Sequence, residues 1–529
     1  MNLLASTIAM PNIDYLALSP EIILLVGATL VLLATSLVRG GMKRNMATGI
    51  TLLLSVAALI ASLLQWHRVS TQGATITIAK AISMDGFSAF IGVTIACSMI
   101  LATLIGHVFL ERERITTPEY HILSLVAASG AIVMAQANDL IVIFLGIEIL
   151  SIALYVLVAF NPLRGESGEA ALKYYVLGGF SSAVFVYGIA LVYGATGSTN
   201  LGQISDFFAQ NQLINTGLLY AGIALLLVGF GFKVAAVPFH VWTPDVYQGA
   251  PSPITGYMAA IAKVGGFAAL IRVFIAAMGS QASTWQPIIY ALAIATLLLG
   301  AIVALVQRDV KRMLAYSSIA HAGFILVGIE VGTLAGTSAA LYYLFVYSIM
   351  TIGAFGIVTV LGGDGDGDHD LTRYRGLARR QPWLGGALVI LLLAQAGIPF
   401  TTGFLAKLGV VSAAIQGGSW PLALVAMLSA GIGVAFYLRV AVIAVLPGQP
   451  EMDADTDTPA SAVSAATSRS QTGLLLEEST TTQSEEAIVN VPLLGAIGIG
   501  LATLTTVVFG ILPGPLLDFA NSAAKIFQP

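Results

Sequence analysis

Apolar runs long enough to cross a lipid bilayer recur from one end of this chain to the other. A helix rises about 1.5 Å per residue, so about 20 apolar residues cross the hydrocarbon core. Such runs lie at 16–38, 46–66, 84–110, 120–137, 139–161, 168–195, 216–240, 251–277, 285–306, 310–330, 334–362, 382–417, 421–447 and 488–512. They predict an all-α, polytopic membrane protein with about fourteen transmembrane helices. Charge content agrees. Charged types are 9% of 529 residues, against roughly 25% in a soluble domain, too few to coat a water-facing surface of this size. The first run, with no basic stretch before it, is expected to stay in the membrane as a helix rather than be cleaved as a leader.

The same inventory narrows the chemistry. Cys97 is the single cysteine and sits in an apolar run. One cysteine cannot close an internal disulfide, ligate an Fe–S cluster or build a structural zinc site. The six histidines are scattered without metal-ligand spacing, and neither a dinucleotide fingerprint nor a P-loop is present. No cofactor is therefore expected in this chain. No basic patch is interleaved with aromatics, so nucleic acid is not an expected partner. The lipid bilayer is.

Lysine and arginine placement predicts orientation. Arg39, Lys43, Arg44, Arg112, Arg114, Arg164, Arg308, Lys311, Arg312, Arg373, Arg375, Arg379 and Arg380 fall in one set of alternate loops, and little beyond Arg68 and Lys80 in the other. The first set is expected in the cytoplasm, with both termini outside. The stretch Gly363–Asp370, GDGDGDHD, resembles a calcium loop but continues into a basic run instead of the closing glutamate. It is expected to be a flexible cytoplasmic connector. Residues 448–487, rich in Ser, Thr, Ala, Asp and Glu, have the composition of a disordered cytoplasmic loop.

The charges within the spans carry the functional information. An ionisable group in a membrane is costly, so it faces a protein interior or a wet cavity. Glu148 follows Asp139 by nine residues, about 14 Å at helical rise, which puts it near mid-membrane. Lys263 lies at similar depth, ten residues after Pro253. Lys233 precedes Pro238 by five residues, Lys407 follows Pro399 by eight, and His321 sits inside the tenth span. Lys173 and Arg439 lie nearer helix ends, where they could snorkel. A lone buried histidine is often only structural, but three lysines and a glutamate at depth imply a hydrated, mutually compensating polar path. Pro238 and the run Gly397–Gly403 interrupt spans seven and twelve close to Lys233 and Lys407. Broken helices at matching places in two halves point to inverted repeats with a transport path between them. The expected division is 1–119 (three helices), 120–277 and 285–447 (two inverted five-helix repeats, spans 4–8 and 9–13), the 448–487 loop, and 488–529 with the last helix.

Four stretches resemble the antiporter-like membrane subunits of respiratory complex I. They are FKVAAVPFHVWTPDVYQGAPSPITGYMAAIAKVGGF (232–267), EAALKYYVLGGFSSAVFVYGIALVYGATGS (169–198), RDVKRMLAYSSIAHAGFILVG (308–328) and AGIPFTTGFLAKL (396–408). The stretch WTPDVYQGAP (242–251) is similar to the N-type branch. This resemblance implies fourteen helices with two inverted repeats, and proton pumping driven by electron transfer from NADH to quinone. It matches Glu148, Lys233, Lys263, His321 and Lys407 to a proton relay, with Glu148 paired to Lys233. It places NADH, FMN, Fe–S clusters and quinone in other subunits. It also implies a bacterial plasma membrane and, as partners, an M-type antiporter-like subunit and the small K-, J- and A-type subunits. The rival readings are a subunit of a cation/proton antiporter or membrane-bound hydrogenase, and a membrane scaffold that transports nothing.

Overall fold

A computed structural model describes residues 13–37, 42–161, 164–210, 216–447 and 490–527; the 448–487 segment lies outside them. Twelve helices among the described residues are long and apolar enough to cross a membrane. The chain runs α1 (Ser19–Leu37), α2 (Arg44–Gln72), α3 (Gly86–Arg112), α4 (Glu119–Gln136), α5 (Leu140–Val158), α6 (Gly165–Thr196), then α7 in two parts (Thr216–Val234 and Trp242–Gly249). It continues through α8 (Ser252–Ile271), α9 (Ala282–Leu305), α10 (Val310–Glu330), α11 (Leu334–Leu361), α12 in two parts (Pro382–Ala396 and Thr402–Gln416), α13 (Trp420–Val445) and α14 (Leu493–Ile511). The twelve, with α4 and the two-part α12, make up the fourteen spans read from the sequence. A two-stranded hairpin, Thr75–Thr77 with Ile82–Met84, links α2 to α3.

The helices form an outer ring around a buried centre. The most apolar stretch of α11 is wholly buried and those of α8 and α10 are 94% buried, whereas α1, α6 and α14 bury 33%. The central helices also carry Lys263, His321 and a set of tyrosines, so their polar groups meet protein rather than lipid. Close helix approach depends on missing side chains. A Cβ on Gly130 of α4 would stand 2.6 Å from the Leu150 amide nitrogen of α5, and one on Gly300 of α9 would stand 2.5 Å from that of Ala320 on α10.

The two polar joints are built alike. Asp139 caps α5 by accepting from the Ile141 N–H at 2.8 Å, and Asp309 caps α10 by accepting from the Arg312 N–H at 2.8 Å. Each aspartate forms a single antiparallel bridge to the loop that follows the next helix, Asp139 to Asn200 and Asp309 to Asp370. The breaks in α7 and α12 are satisfied internally, as a membrane requires. The Val237 N–H donates to Thr296 Oγ1 at 2.9 Å, and Trp242 Nε1 donates to the Phe232 carbonyl at 3.1 Å. Gly397 ends the first part of α12 in the left-handed region, at φ 87°, and the Thr401 hydroxyl caps the second part.

The 363–370 stretch is not the loose connector its composition suggests. Asp366 is fully buried. Its carboxylate accepts from the Ser252 N–H at 2.7 Å and the Ser252 hydroxyl at 2.8 Å. Lys311 Nζ lies 3.3 Å away, His369 3.4 Å, and Arg112 and Arg164 each 3.8 Å. The cluster ties the ends of α3, α8, α10 and α11 and the α5–α6 loop to one point. Composition reports the acidic, glycine-rich loop but not the three cations, Lys311, Arg112 and Arg164, that tertiary folding brings around it.

Burial alone would raise the Asp366 pKa, but Lys311, His369 and the Ser252 N–H outweigh it and hold the carboxyl well below the usual range. A depressed carboxylate stabilises the fold at all pH values above its unfolded pKa of about 3.9 and loses that contribution only as pH falls below it. Asp366→Ala leaves Lys311, itself fully buried, without its carboxylate. It is expected to destabilise the protein by about 3–5 kcal/mol at neutral pH, read as a lower midpoint in detergent thermal unfolding. An unchanged midpoint removes Asp366 as the tie.

Candidate functional site

The five expected site residues lie on α5, α7, α8, α10 and α12, and four of them are buried. Lys233, Lys263, His321 and Lys407 are between 2% and 9% exposed; Glu148 is partly buried on α5. Glu148 and Lys233 do not touch. The Glu148 carboxylate accepts from the Ser182 hydroxyl of α6, and Lys233 Nζ donates to Ser151 Oγ at 2.8 Å. Ser151 sits one turn after Glu148 on the same helix face. A cavity of about 10 Å³ lined by Ser151, Ser181, Ser182 and Lys233 lies beside them. That is about the size at which one water fits.

Lys263, at the centre of α8, donates to the backbone carbonyl of Ser318 and to its hydroxyl. Its ammonium stands 5.3 Å from the Tyr347 ring centroid, within cation–π range. Gly266, one turn on, brings α8 against the stem of Lys233, where a Cβ would stand 3.2 Å from Lys233 Cγ. Ser318 also bonds the Tyr347 hydroxyl at 2.9 Å and reaches that of Tyr247 at 3.4 Å. His321 lies one turn further along α10. Its Nδ1 bonds the Tyr343 hydroxyl at 2.6 Å and its Nε2 the Tyr437 hydroxyl at 3.0 Å.

Lys407 donates to the Ala396 carbonyl at 2.8 Å, an acceptor made available by the break in α12. Its ammonium stands 5.0 Å from the Phe324 ring centroid. A second cavity of about 10 Å³ separates it from His321. From α5 to α12 the site therefore alternates ionisable groups with hydroxyls.

Lys173 and Arg439 each find partners within the protein. Lys173 pairs with Glu169 at 2.8 Å and with Asp245 of α7 at 2.9 Å. Arg439 donates to the carbonyls of Leu305 and Gln307, closing the end of α9. A polar pocket of about 300 Å³, lined by residues including Lys173, Asp245, Gln248 and Asp309, opens beside these pairs. The sequence reading passed over Ser151, Ser182, Ser318, Tyr343, Tyr347 and Tyr437. Helical spacing was a signal for two of them, since Ser151 and Ser318 stand three residues from Glu148 and His321. The others reach the site from other helices, Ser182 from α6, Tyr343 and Tyr347 from α11 and Tyr437 from α13.

Among the described residues no group of three or more His, Cys, Asp or Glu side chains is placed to hold a metal ion. The arrangement suits movement of charge through exchangeable protons.

Residues 137–433 match the family model described as NADH:quinone oxidoreductase/Mrp antiporter, transmembrane. The chain is 37% identical to NADH-quinone oxidoreductase subunit N of Parafrankia sp., over 98% of this chain and 97% of that protein. A chain of respiratory complex I from Thermus thermophilus superposes with a TM-score of 0.74 at 29% identity, covering 94% of this chain and 98% of that one. A chain of the Mrp complex from Dietzia sp. superposes with a TM-score of 0.80 at 20% identity, a likeness of fold alone. The alternation of buried lysines and hydroxyls thus stands within a complex I fold, and the chain belongs to the NADH-quinone oxidoreductase subunit N family.

Proposed function

We propose that this subunit moves protons through Glu148, Lys233, Lys263, His321 and Lys407, in that spatial order. The subunit is a proton-translocating membrane component of NADH:quinone oxidoreductase, a multi-pass protein of bacterial complex I. The observation that carries the relay is that each buried charge meets an exchangeable hydroxyl or a one-water cavity at its side: Ser182 on Glu148, Ser151 on Lys233, Ser318 on Lys263, Tyr437 on His321. A static scaffold has no use for such spacing, because removing the charges would avoid their desolvation cost. In this reading one water joins Glu148 to Lys233, and weakening that attraction lets Lys233 release its proton toward Lys263. Opposite charges at short range in a poorly screened interior interact by several kcal/mol, enough to switch proton affinity.

The finer assignments are part of the same proposal. Spans 4–8 (120–277) and 9–13 (285–447) are inverted repeats, supported by the like-built Asp139 and Asp309 joints and by the breaks in α7 and α12. The Asp366 cluster gathers Arg112, Arg164 and Lys311 at one end of the bundle, which supports a cytoplasmic location for that end and outer termini. NADH, FMN, Fe–S clusters and quinone are handled by other subunits. The neighbours are the M-type subunit and the small K-, J- and A-type subunits.

Lys407→Ala, in a fully assembled complex reconstituted into sealed vesicles, is expected to slow proton pumping and NADH:quinone turnover together, because the relayed charge loses its acceptor. Lys407→Arg is expected to be defective too, since arginine holds its proton far more tightly. Normal rates in both variants exclude Lys407 from the relay.

Ser151→Ala leaves Lys233 without its hydroxyl partner. With a charged-group hydrogen bond worth about 1.5–3 kcal/mol, turnover is expected to fall about tenfold or more with assembly intact. Wild-type turnover would show that Ser151 does not tune Lys233.

For orientation, Gly367→Cys on the loop after α11 is expected to react with a membrane-impermeant thiol reagent in inside-out vesicles and not in intact cells. The opposite pattern reverses the topology.

A further inference from the structure

The interval between His321 and Lys407 has a construction of its own. The two side chains make no hydrogen bond to each other. His321 Nε2 instead meets the hydroxyl of Tyr437, on α13, at 3.0 Å. Tyr437 is 2% exposed and its hydroxyl also bonds Ser317. Beyond Tyr437 lies the cavity of about 10 Å³, bordered by His321, Tyr437, Ser429, Gly433 and Lys407. It is close to the size of a single water site, and its walls carry the two to four polar partners a buried water needs. Ser429 spends its proton on the Leu297 carbonyl at 3.0 Å, which leaves its oxygen free to accept.

Gly433 keeps that space open. A Cβ built there meets only Lys407 Nζ, at 4.0 Å. No backbone clash and no positive φ requires a glycine at this position. A side chain at 433 would point at the lysine ammonium, into the gap.

We propose that Tyr437 and one water, held in the space left by Gly433, carry the proton between His321 and Lys407. This rests on the relay reading above and adds the link that the row of charges lacks. The transfer balances without any further reactant. A proton leaves Nε2 of the imidazolium and adds to the Tyr437 oxygen as the tyrosine's own proton passes to the water. One water proton then passes to the neutral Lys407 amine. Tyrosine and water end with the protons they began with, His321 is neutral, and Lys407 carries the charge. Rotation of the hydroxyl and the water resets the link. In this scheme Tyr437 is a proton carrier, whereas Tyr343, on Nδ1, holds the ring.

The competing reading is that Tyr437 only fastens the histidine and that Gly433 is a small residue on a packed helix. Four variants in the assembled complex separate the two. Tyr437→Phe removes the hydroxyl and keeps the ring. Gly433→Ala adds one methyl to the cavity and leaves every hydrogen bond of His321 in place. Gly433→Ser puts a hydroxyl where the water would sit. Gly431→Ala is the control, because Gly431 is exposed on the same helix and a Cβ there meets nothing within 4 Å.

Each variant is assembled, reconstituted into sealed vesicles and assayed for NADH:quinone turnover and proton uptake, in water and in deuterium oxide. Tyr437→Phe and Gly433→Ala are expected to lose about tenfold or more in both rates, the scale of losing a positioned proton carrier. Their solvent isotope effect should rise, because proton transfer becomes limiting. Gly433→Ser should recover most of the Gly433→Ala loss, and Gly431→Ala should match wild type. Wild-type rates in Gly433→Ala overturn the water link, and wild-type rates in Tyr437→Phe overturn the tyrosine link. Equal losses in Gly433→Ala and Gly433→Ser show a packing role and also overturn the water link. If Tyr437→Phe fails to assemble, the alanine–serine pair at 433 decides the proposal. Lys407→Ala in parallel separates this proposal from the relay itself. A defective Lys407→Ala beside normal Tyr437→Phe and Gly433→Ala rejects only the link, whereas a normal Lys407→Ala excludes Lys407 from the relay and the link with it.

Discussion

A lysine ammonium inside a bilayer-spanning helix must find partners within the protein, because lipid offers none. That requirement organises the centre of this molecule. Lys263 is answered by both oxygens of Ser318, Lys233 by Ser151, and Lys407 by the Ala396 carbonyl. The helices that carry or face these groups, α8, α10 and α11, are the most deeply buried, and the lipid-exposed helices close around them. Placing the charges centrally and surrounding them with apolar helices is one physical solution to one cost.

The partners are neutral or lie beyond direct contact, and this bears on function. A close carboxylate–lysine pair would lock its proton. Glu148 and Lys233 are each held by a serine instead, near enough for their charges to interact but free of a fixed bond. The contrast is with the Asp85–Arg272 pair at 2.6 and 2.9 Å and the Asp366 cluster. There, direct ion pairs at helix ends tie elements together. In the middle of the bundle hydroxyls and small cavities take the place of counter-ions, an arrangement that fits the proposed relay.

Broken helices serve the same end. A continuous helix consumes its own carbonyls, so a buried lysine on it must look elsewhere for acceptors. The break at Gly397–Thr401 releases the Ala396 carbonyl where Lys407 needs it. It depends on close approach at Gly403, where a Cβ would collide with the Ala394 carbonyl oxygen. The Asp139 and Asp309 caps do comparable work at the joints. Each satisfies a helix start and pins it to a distant loop through a single bridge.

What the sequence determined by itself is the set of features that depend on local composition. Runs of apolar residues set the spans, because bilayer thickness fixes their length. Proline and glycine marked the breaks in α7 and α12, because proline removes an N–H donor and glycine tolerates the left-handed backbone that ends a helix. Glu148, Lys233, Lys263, His321 and Lys407 were visible as charges out of place in those runs. Only the tertiary structure decided what each charge meets. Ser182, Tyr343 and Tyr437 reach the row from other helices, and nothing in their own surroundings distinguishes them from ordinary membrane-helix residues. The 363–370 loop makes the same point from the other side. Its composition reads as loose and acidic, yet Asp366 is buried among Lys311, His369, Arg112 and Arg164. Charge compensation is a matter of three-dimensional neighbours, so local sequence names the charge and the fold supplies its answer.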